Sequence, residues 1–448
     1  MRHHKALALL VSVLALAVLA TSAPALGQST DPAIVFVHGN GDTAAIWHTT
    51  IWRFESNGYP RDRLFAIDLK FPSARTVDAK PQDGRSSAAE AMAQLAAFVD
   101  EVLVKTGARK VALVGNSRGA NTIRNYVRYG GGDARTSHVV LGGGTNHGVI
   151  VSDSHLVGSE FNGAGDFMKR LNDGDEVVAG VAAFMTIRSD TNDKYAQPTG
   201  RFISLPDVQT GISYDAPALK GATNVVLPGA DHRETSFGPR AFVETYRFIT
   251  GRAAARKDIA REAAPVLNGR VTGITAGVYD NQPASGATVE IYAVDPRTGA
   301  RQGEPAHSKT TGADGVWGPF RASPTAAYEL VVSVPGQPIT HIYRSPFPRG
   351  SDVITLRPAI LAKEDATAAA VVVMTRPRGY FGHRRDVFTL DDAVPGGVND
   401  GVPGASAARL QLPDAAPRSV AARFNDETIV TRTWPIADRH ISIAEFHY

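Results

Sequence analysis

A serine set between two glycines is the first stretch of this chain in which residue type and spacing could do chemistry. Gly115-Asn116-Ser117-Arg118-Gly119 follows the apolar run VALV at 111–114 and leads straight into a helix-compatible run, ANTIRNY. A strand that turns sharply into a helix thrusts its central serine Oγ beyond the sheet edge. The flanking positions must then be small, because the two backbones nearly touch. Ser117 is therefore the candidate nucleophile. A serine hydroxyl is weak at neutral pH and needs a base, for which histidine has a suitable ordinary pKa. Of 13 histidines, His232 is the best placed, in the turn of VVLPGADHRETSF. His38 ends an earlier apolar run and reads as structural, while His147 and His155 fall in a polar insertion. The imidazole needs a carboxylate to hold its tautomer. The stretch SDTNDKY after the run 184–188 offers two. Asp193, a few residues past the strand end, is the expected acid; Asp190, next to the strand, is the alternative. The oxyanion that forms on an attacked carbonyl needs fixed donors. The backbone N–H of Arg118 and that of Asn40, in His38-Gly39-Asn40-Gly41, fit that need.

These residues must be held by a scaffold, and the hydrophobic pattern supplies one. Short apolar runs at 33–37, 63–69, 110–114, 137–141, 184–188 and 224–227 alternate with helical patterns at 43–57, 86–106 and 239–250. Such alternation predicts a doubly wound, mostly parallel sheet of the α/β class, with ligands bound at the carboxyl ends of the strands. The chain order Ser117, Asp193, His232 suits that arrangement. Between about 145 and 182 the alternation breaks in a Gly-, Asn-, Asp- and Ser-rich insertion with one helical pattern near 164–171. It is expected to cap the site; a plain excursion packed on the body is the alternative. A charged, Ala-rich stretch at 253–263 reads as a short helical linker. Beyond it, 264–358 and 359–448 show short alternating runs between turn clusters, as in all-β, sandwich-like domains. The segment RPRGYFGHRR at 376–385 reads as a solvated loop, with lipid or polymer contact as the alternative.

Composition narrows the function classes. The chain has 448 residues, 47 basic against 44 acidic, and a formal charge of +3, which is no nucleic-acid footprint. The first 27 residues, with a basic head, an apolar run at 6–20 and small residues after it, predict a cleaved secretory signal peptide and an exported protein without a permanent membrane anchor. Cysteine is absent, which excludes thiol catalysis, disulfides and a lipoprotein anchor.

The set IVFVHGNG, LVGNSRGANTIRNY, SHVVLGGGTNHG, the acid loop and the GADH turn resembles the bacterial secreted lipases of the α/β-hydrolase superfamily, above all the class 2 lipases. The β-rich C-terminal half is similar, more loosely, to the extra domains of an archaeal long-chain lipase. The resemblance implies carboxylic ester hydrolysis through an acyl-enzyme, oxyanion donors at Asn40 and Arg118, and no cofactor; no metal-ligating set is assigned. Asn116 departs from the pattern, since many relatives carry histidine before the nucleophile. The expected substrate is a lipid ester, small or aggregated. An extracellular polyester depolymerase with the β domains as surface-binding modules is the alternative, and a non-catalytic binding protein on a hydrolase scaffold is a third reading. If the β domains serve only lipid or polymer contact, activity on soluble esters survives truncation near residue 262.

Overall fold

The computed structural model describes residues 31–178, 180–398 and 400–448. The expected signal peptide lies outside the described residues. Six strands form the first sheet: β1 (Ala33–Val37), β2 (Leu64–Ile67), β3 (Val111–Asn116), β4 (Thr136–Gly142), β5 (Ala183–Ser189) and β6 (Thr223–Leu227). Their order is β6-β5-β4-β3-β1-β2, and every neighbouring pair is parallel. β1 and β3 are buried along their whole length, which explains their unbroken apolar runs.

Helices cover both faces. On one side lie α1 (His48–Ser56) and, at the chain end of the unit, the short α5 (Glu234–Phe237) and α6 (Pro239–Thr250). There Phe36, Trp47, Phe54, Phe237, Phe242 and Tyr246 form one aromatic core. On the other side α2 (Ala88–Thr106) and α3 (Arg118–Tyr129) pack Leu95, Val99, Ile123 and Tyr126 against Val35 and Leu113. α2 starts where Ser87 and Glu90 satisfy each other's backbone N–H, and stops at Gly107 with φ 65°.

The insertion at 145–182 is anchored to α3 by buried arginines. Arg118 pairs with Glu160 through two bonds of 2.8 Å. Arg124 donates to Asn146 O at 3.0 Å and to Asn172 Oδ1 at 2.7 Å. The short helix α4 (Asp166–Leu171) buries Met168 and Leu171. Breaking a buried ion pair by removing one partner costs about 3–5 kcal/mol, so this insertion is tied to the helix behind the elbow.

The 253–263 linker is not helical. Its backbone is satisfied by α1: Arg53 Nε donates to Lys257 O (3.1 Å), Asn57 Nδ2 to Arg256 O (2.9 Å), and Ala260 N to Ser56 Oγ (2.9 Å). Those external partners compete with a helix of its own.

The C-terminal half is built on a seven-stranded sheet. In chain order its members are β7 (Thr288–Val294), β8 (His307–Thr310), β9 (Ala327–Ser333), β10 (Ile339–Arg344), β11 (Ala370–Thr375), β13 (Ala407–Leu412) and β16 (His440–Glu445). A three-stranded sheet is formed by β12 (Phe388–Leu390), β14 (Ser419–Phe424) and β15 (Glu427–Arg432). The larger sheet runs β8-β7-β9-β10-β16-β11-β13. The segments 264–358 and 359–448 therefore share one sheet, because the last strand inserts between β10 and β11, parallel to both. The three-stranded sheet closes over it through Phe381, Phe388, Val420 and Phe424. Trp52 of α1 enters the other C-terminal core beside Trp317 and Phe347, and donates to Gly350 O at 2.7 Å.

Candidate active site

Ser117 sits at the turn between β3 and α3 with φ 54° and ψ −121°. A non-glycine residue in this region is strained, and persists only where the surroundings over-determine it. The neighbouring glycines show what does so. A Cβ on Gly119 would stand 2.4 Å from Val37 O, and one on Gly115 would stand 2.6 Å from Ile123 Cδ1 and 2.9 Å from Gly119 C. Only glycine lets β1, β3 and α3 approach so closely.

His232 lies in the turn after β6 and is buried. Its Nδ1 is 2.8 Å from Asp193 Oδ1 and 2.9 Å from Oδ2. The carboxylate also accepts from Tyr195 N at 2.9 Å. With Nδ1–H committed to Asp193, Nε2 is left as the acceptor, the tautomer a general base requires. His232 Nε2 is buried with no hydrogen-bond partner. Nε2 and Ser117 Oγ are not hydrogen-bonded to each other, as is common before substrate tightens a site. Both residues line one pocket of about 200 Å³, together with Asn40, Val149, Leu156, Phe161, Tyr195, Ile203 and Tyr380 among others.

Asp190 is placed differently. Its Oδ1 accepts from Thr191 N (2.7 Å) and Gly229 N (2.9 Å), bracing the acid loop against the turn that carries His232. Burial works to raise its pKa, yet these N–H donors hold the carboxyl below its ordinary value. Geometry thus brings Asp193, and not Asp190, to the imidazole.

Of the two expected oxyanion donors, Asn40 lines the pocket and Arg118 directly follows Ser117 as the first residue of α3. Arg118 places its N–H at the N-terminal end of α3, where the first N–H groups of a helix lack intrahelical partners, and Asn40 lies in the loop after β1. The Asn40 side chain is turned to other work, accepting from Ala74 N at 2.7 Å. Gly39 passes so near the nucleophile that a Cβ there would lie 3.2 Å from Ser117 Cβ. Asn116, in place of histidine, donates to Ser236 Oγ at 2.8 Å and Gly142 O at 3.2 Å, stitching the elbow to the turn that follows His232.

The three other histidines weighed for the site are engaged elsewhere. His38 bonds Gly39 O at 2.8 Å and accepts from Leu69 N at 3.1 Å, and burial lowers its pKa. His147 is held by Ala216 O and Glu176, and His155 by Ser154 Oγ. No cluster of three or more metal-ligating side chains occurs among the described residues. A larger cleft, about 970 Å³, lies between α6 and the C-terminal strands, but neither Ser117 nor His232 lines it.

Sequence reasoning missed the supports of the histidine turn. Tyr195 packs edge-on against His232 with ring centroids 4.6 Å apart. Gly143, at φ 53°, leaves room for the turn: a Cβ there would meet His232 O at 2.6 Å. The 376–385 segment, read as a solvated loop, is instead buried at Arg376, Arg378, Tyr380 and Phe381 and packs on this turn. Its basic residues meet acids that flank the histidine in Asp231-His232-Arg233-Glu234. That charge match was the available signal.

Comparison with known families follows the same division. Residues 31–159 match the model of class 2 lipases, and residues 266–360 match the model of the lipase C-terminal domain. The first match covers Asn40 and Ser117 and ends before Asp193 and His232. Among solved structures, a Bacillus licheniformis lipase in mature form is 20% identical, covering 49% of this chain and 92% of its own, with a TM-score of 0.37. The propeptide form of that lipase is 16% identical over 90% of this chain and 93% of its own, TM-score 0.37. A Bacillus subtilis carboxylesterase is 14% identical over 50% of this chain and 85% of its own, TM-score 0.28. With the parallel sheet, the elbow and the two family matches in hand, the chain is a lipase-like α/β-hydrolase, a carboxylic ester hydrolase.

Proposed function

We propose that this chain is a secreted serine hydrolase that cleaves lipid esters through an acyl-enzyme. The observation that carries the reading is the His232–Asp193 pair at 2.8 Å, with an unpartnered Nε2 on the same pocket as Ser117. In this mechanism Nε2 takes the Ser117 proton as Oγ attacks the ester carbonyl. The carbonyl oxygen becomes an oxyanion against the backbone N–H groups of Asn40 and Arg118. His232 then gives the proton to the leaving alcohol, and water repeats the sequence to release the acid. Asp193 stabilises the imidazolium throughout.

Val149, Leu156, Phe161 and Ile203 give the pocket an apolar side for an acyl chain, next to the polar residues around Ser117 and His232. At about 200 Å³ the pocket falls below the ~300–1,000 Å³ usual for drug-sized ligands, so chains of modest length are favoured. Export by the N-terminal 27 residues gives such an enzyme access to extracellular esters.

The test is hydrolysis of p-nitrophenyl esters of graded chain length by wild type and Ser117→Ala. Wild type is expected to turn over short and medium chains, and Ser117→Ala to lose at least ~10⁴-fold in kcat. Equal rates from the two proteins would sink the proposal.

A further inference from the structure

The hydrolase half does not build its pocket alone. Tyr380, from the C-terminal half, lines it together with Ser117 and His232. This tyrosine is held from several sides. Its N–H donates to Asp231 Oδ2 at 2.8 Å, and its carbonyl accepts from Arg376 Nη1 and Arg385 Nη2, both at 2.7 Å. Lys194 Nζ, from the residue after Asp193, stands 4.3 Å from its ring centroid.

The same segment grips the histidine turn. Asp231, immediately before His232, is fully buried and pairs with Arg376 and Arg385, each at 3.2 Å. Its other oxygen accepts from Arg233 N and Glu234 N, both at 2.9 Å. Glu234 in turn pairs with Arg376 at 2.6 Å and Arg385 at 2.9 Å. A buried carboxylate persists only with counter-charges and donors around it. Among the described residues, the two arginines paired with Asp231 both come from the 376–385 segment. Arg233, just after His232, reaches outward to Asp42 beside the oxyanion loop at 2.9 Å and to Pro377 O.

We propose that the 376–385 segment is part of the ester site. Tyr380 is a specificity-determining wall of the acyl pocket, and Arg376 and Arg385 are positioning residues that hold His232 through Asp231. The proposal rests on the ester-hydrolase reading above and deepens it: acyl length is decided partly by a residue of the C-terminal half.

The test measures kcat and KM of the full-length chain on p-nitrophenyl acetate, butyrate, octanoate and palmitate. In Tyr380→Ala, the ratio of kcat/KM for octanoate over acetate is expected to rise at least ~10-fold, because the ring no longer limits the pocket. Tyr380→Phe keeps the ring and is expected to keep the wild-type ratio. Arg385→Ala is expected to lower kcat ~10–100-fold on every ester with KM nearly unchanged, and Arg385→Lys to recover part of that loss. A folded Tyr380→Ala with an unchanged chain-length ratio would overturn the wall. An unchanged kcat in Arg385→Ala, or a loss that appears only in KM, would overturn the positioning role. If Tyr380→Ala does not fold, Tyr380→Leu is read by the same criterion. Failure of wild type to hydrolyse any ester, or full activity in Ser117→Ala, would instead strike the reading beneath.

Discussion

Ser117 and His232 stand at the carboxyl ends of β3 and β6 of one sheet, and different forces keep them there. The elbow is held by backbone proximity. Gly115 and Gly119 let β1, β3 and α3 meet at distances where any Cβ would collide. The histidine turn is held by charge. Asp231 and Glu234 are gripped by Arg376 and Arg385 from the other half of the chain. A steric constraint of backbone against backbone leaves no room for a side chain. An ionic one spans the sequence, adapts to a change of partner, and depends on two buried surfaces finding each other. The nucleophile is thus pre-set by its own motif, whereas its base needs the whole molecule.

This contrast can be broken at its rigid end first. Gly119→Val places side-chain atoms against Val37 O and His38 O, and the protein is expected to lose both measurable ester hydrolysis and most of its soluble yield. Wild-type-like activity and melting temperature would show that close approach is not what sets the elbow. At the histidine turn, Asp193→Asn is expected to lower kcat by ~10⁴, because the imidazole loses the partner that fixes its tautomer. Asp190→Asn removes only a brace, and an effect near ~10-fold, accompanied by a stability loss of about 1–3 kcal/mol, is expected from steady-state rates and urea melts. A reversal of that order would reassign the acid.

Truncation after residue 262 addresses the charged support directly. Read from the sequence, the C-terminal half was dispensable for soluble esters if it served only lipid or polymer contact. The structure points the other way. Removing it strips Asp231 of Arg376 and Arg385, strips Gly41 O of Arg357 (2.9 Å), and uncovers Trp52. A misplacement of about 1 Å costs ~10²-fold, so activity on p-nitrophenyl acetate should fall at least that far. Full activity in the truncated protein would show that the hydrolase half holds its own histidine.

The smallest effect concerns pH. His48 of α1 and His447 meet where the two halves pack, with ring centroids 5.7 Å apart. Burial, then the charges of Arg344 and Arg378, lowers the His447 pKa to about 3, and burial holds His48 well below 6.5. Between pH 6.5 and about 3 the unfolded chain binds a proton at His447 that the folded protein excludes. Stability from this group therefore falls as pH falls through that window, by about 1.4 kcal/mol per pH unit. Urea unfolding at pH 7, 6 and 5 should show the slope, and His447→Leu should reduce it by one proton. An identical slope in the variant would remove His447 from the account.

Much of the hydrolase half was legible without coordinates. AIVFV in β1 and VALV in β3 are continuous apolar runs because those central strands are covered on both faces, whereas β4, β5 and the edge strand β6 carry shorter apolar stretches, VVL, FM and VVL, among polar residues. The elbow was legible because its strand–turn–helix pattern is local: Gly115 answers Gly119 and Ile123 a few residues on, although Gly119 itself is pressed against Val37 O of β1. His232 and the acid loop were legible because such sheets present their chemistry at strand ends. The choice between Asp193 and Asp190, three residues apart, was not. It depends on which carboxylate faces the imidazole and which faces Gly229 N, and both stand in one polar loop.

What only the tertiary structure decided is how the second half serves the first. Residues 376–385 look like a solvated basic loop because their acidic partners lie more than a hundred residues earlier, in the turn around His232. Likewise 253–263 composes as a helix yet spends its backbone hydrogen bonds on Arg53, Ser56 and Asn57. The sequence by itself determined the sheet, the elbow and the residues able to act as nucleophile, base and acid. These follow from periodicity and local sterics, which act over a few residues. The counter-charges of Asp231, the tyrosine wall and the seam at Trp52 follow from long-range burial, which composition along the chain does not encode.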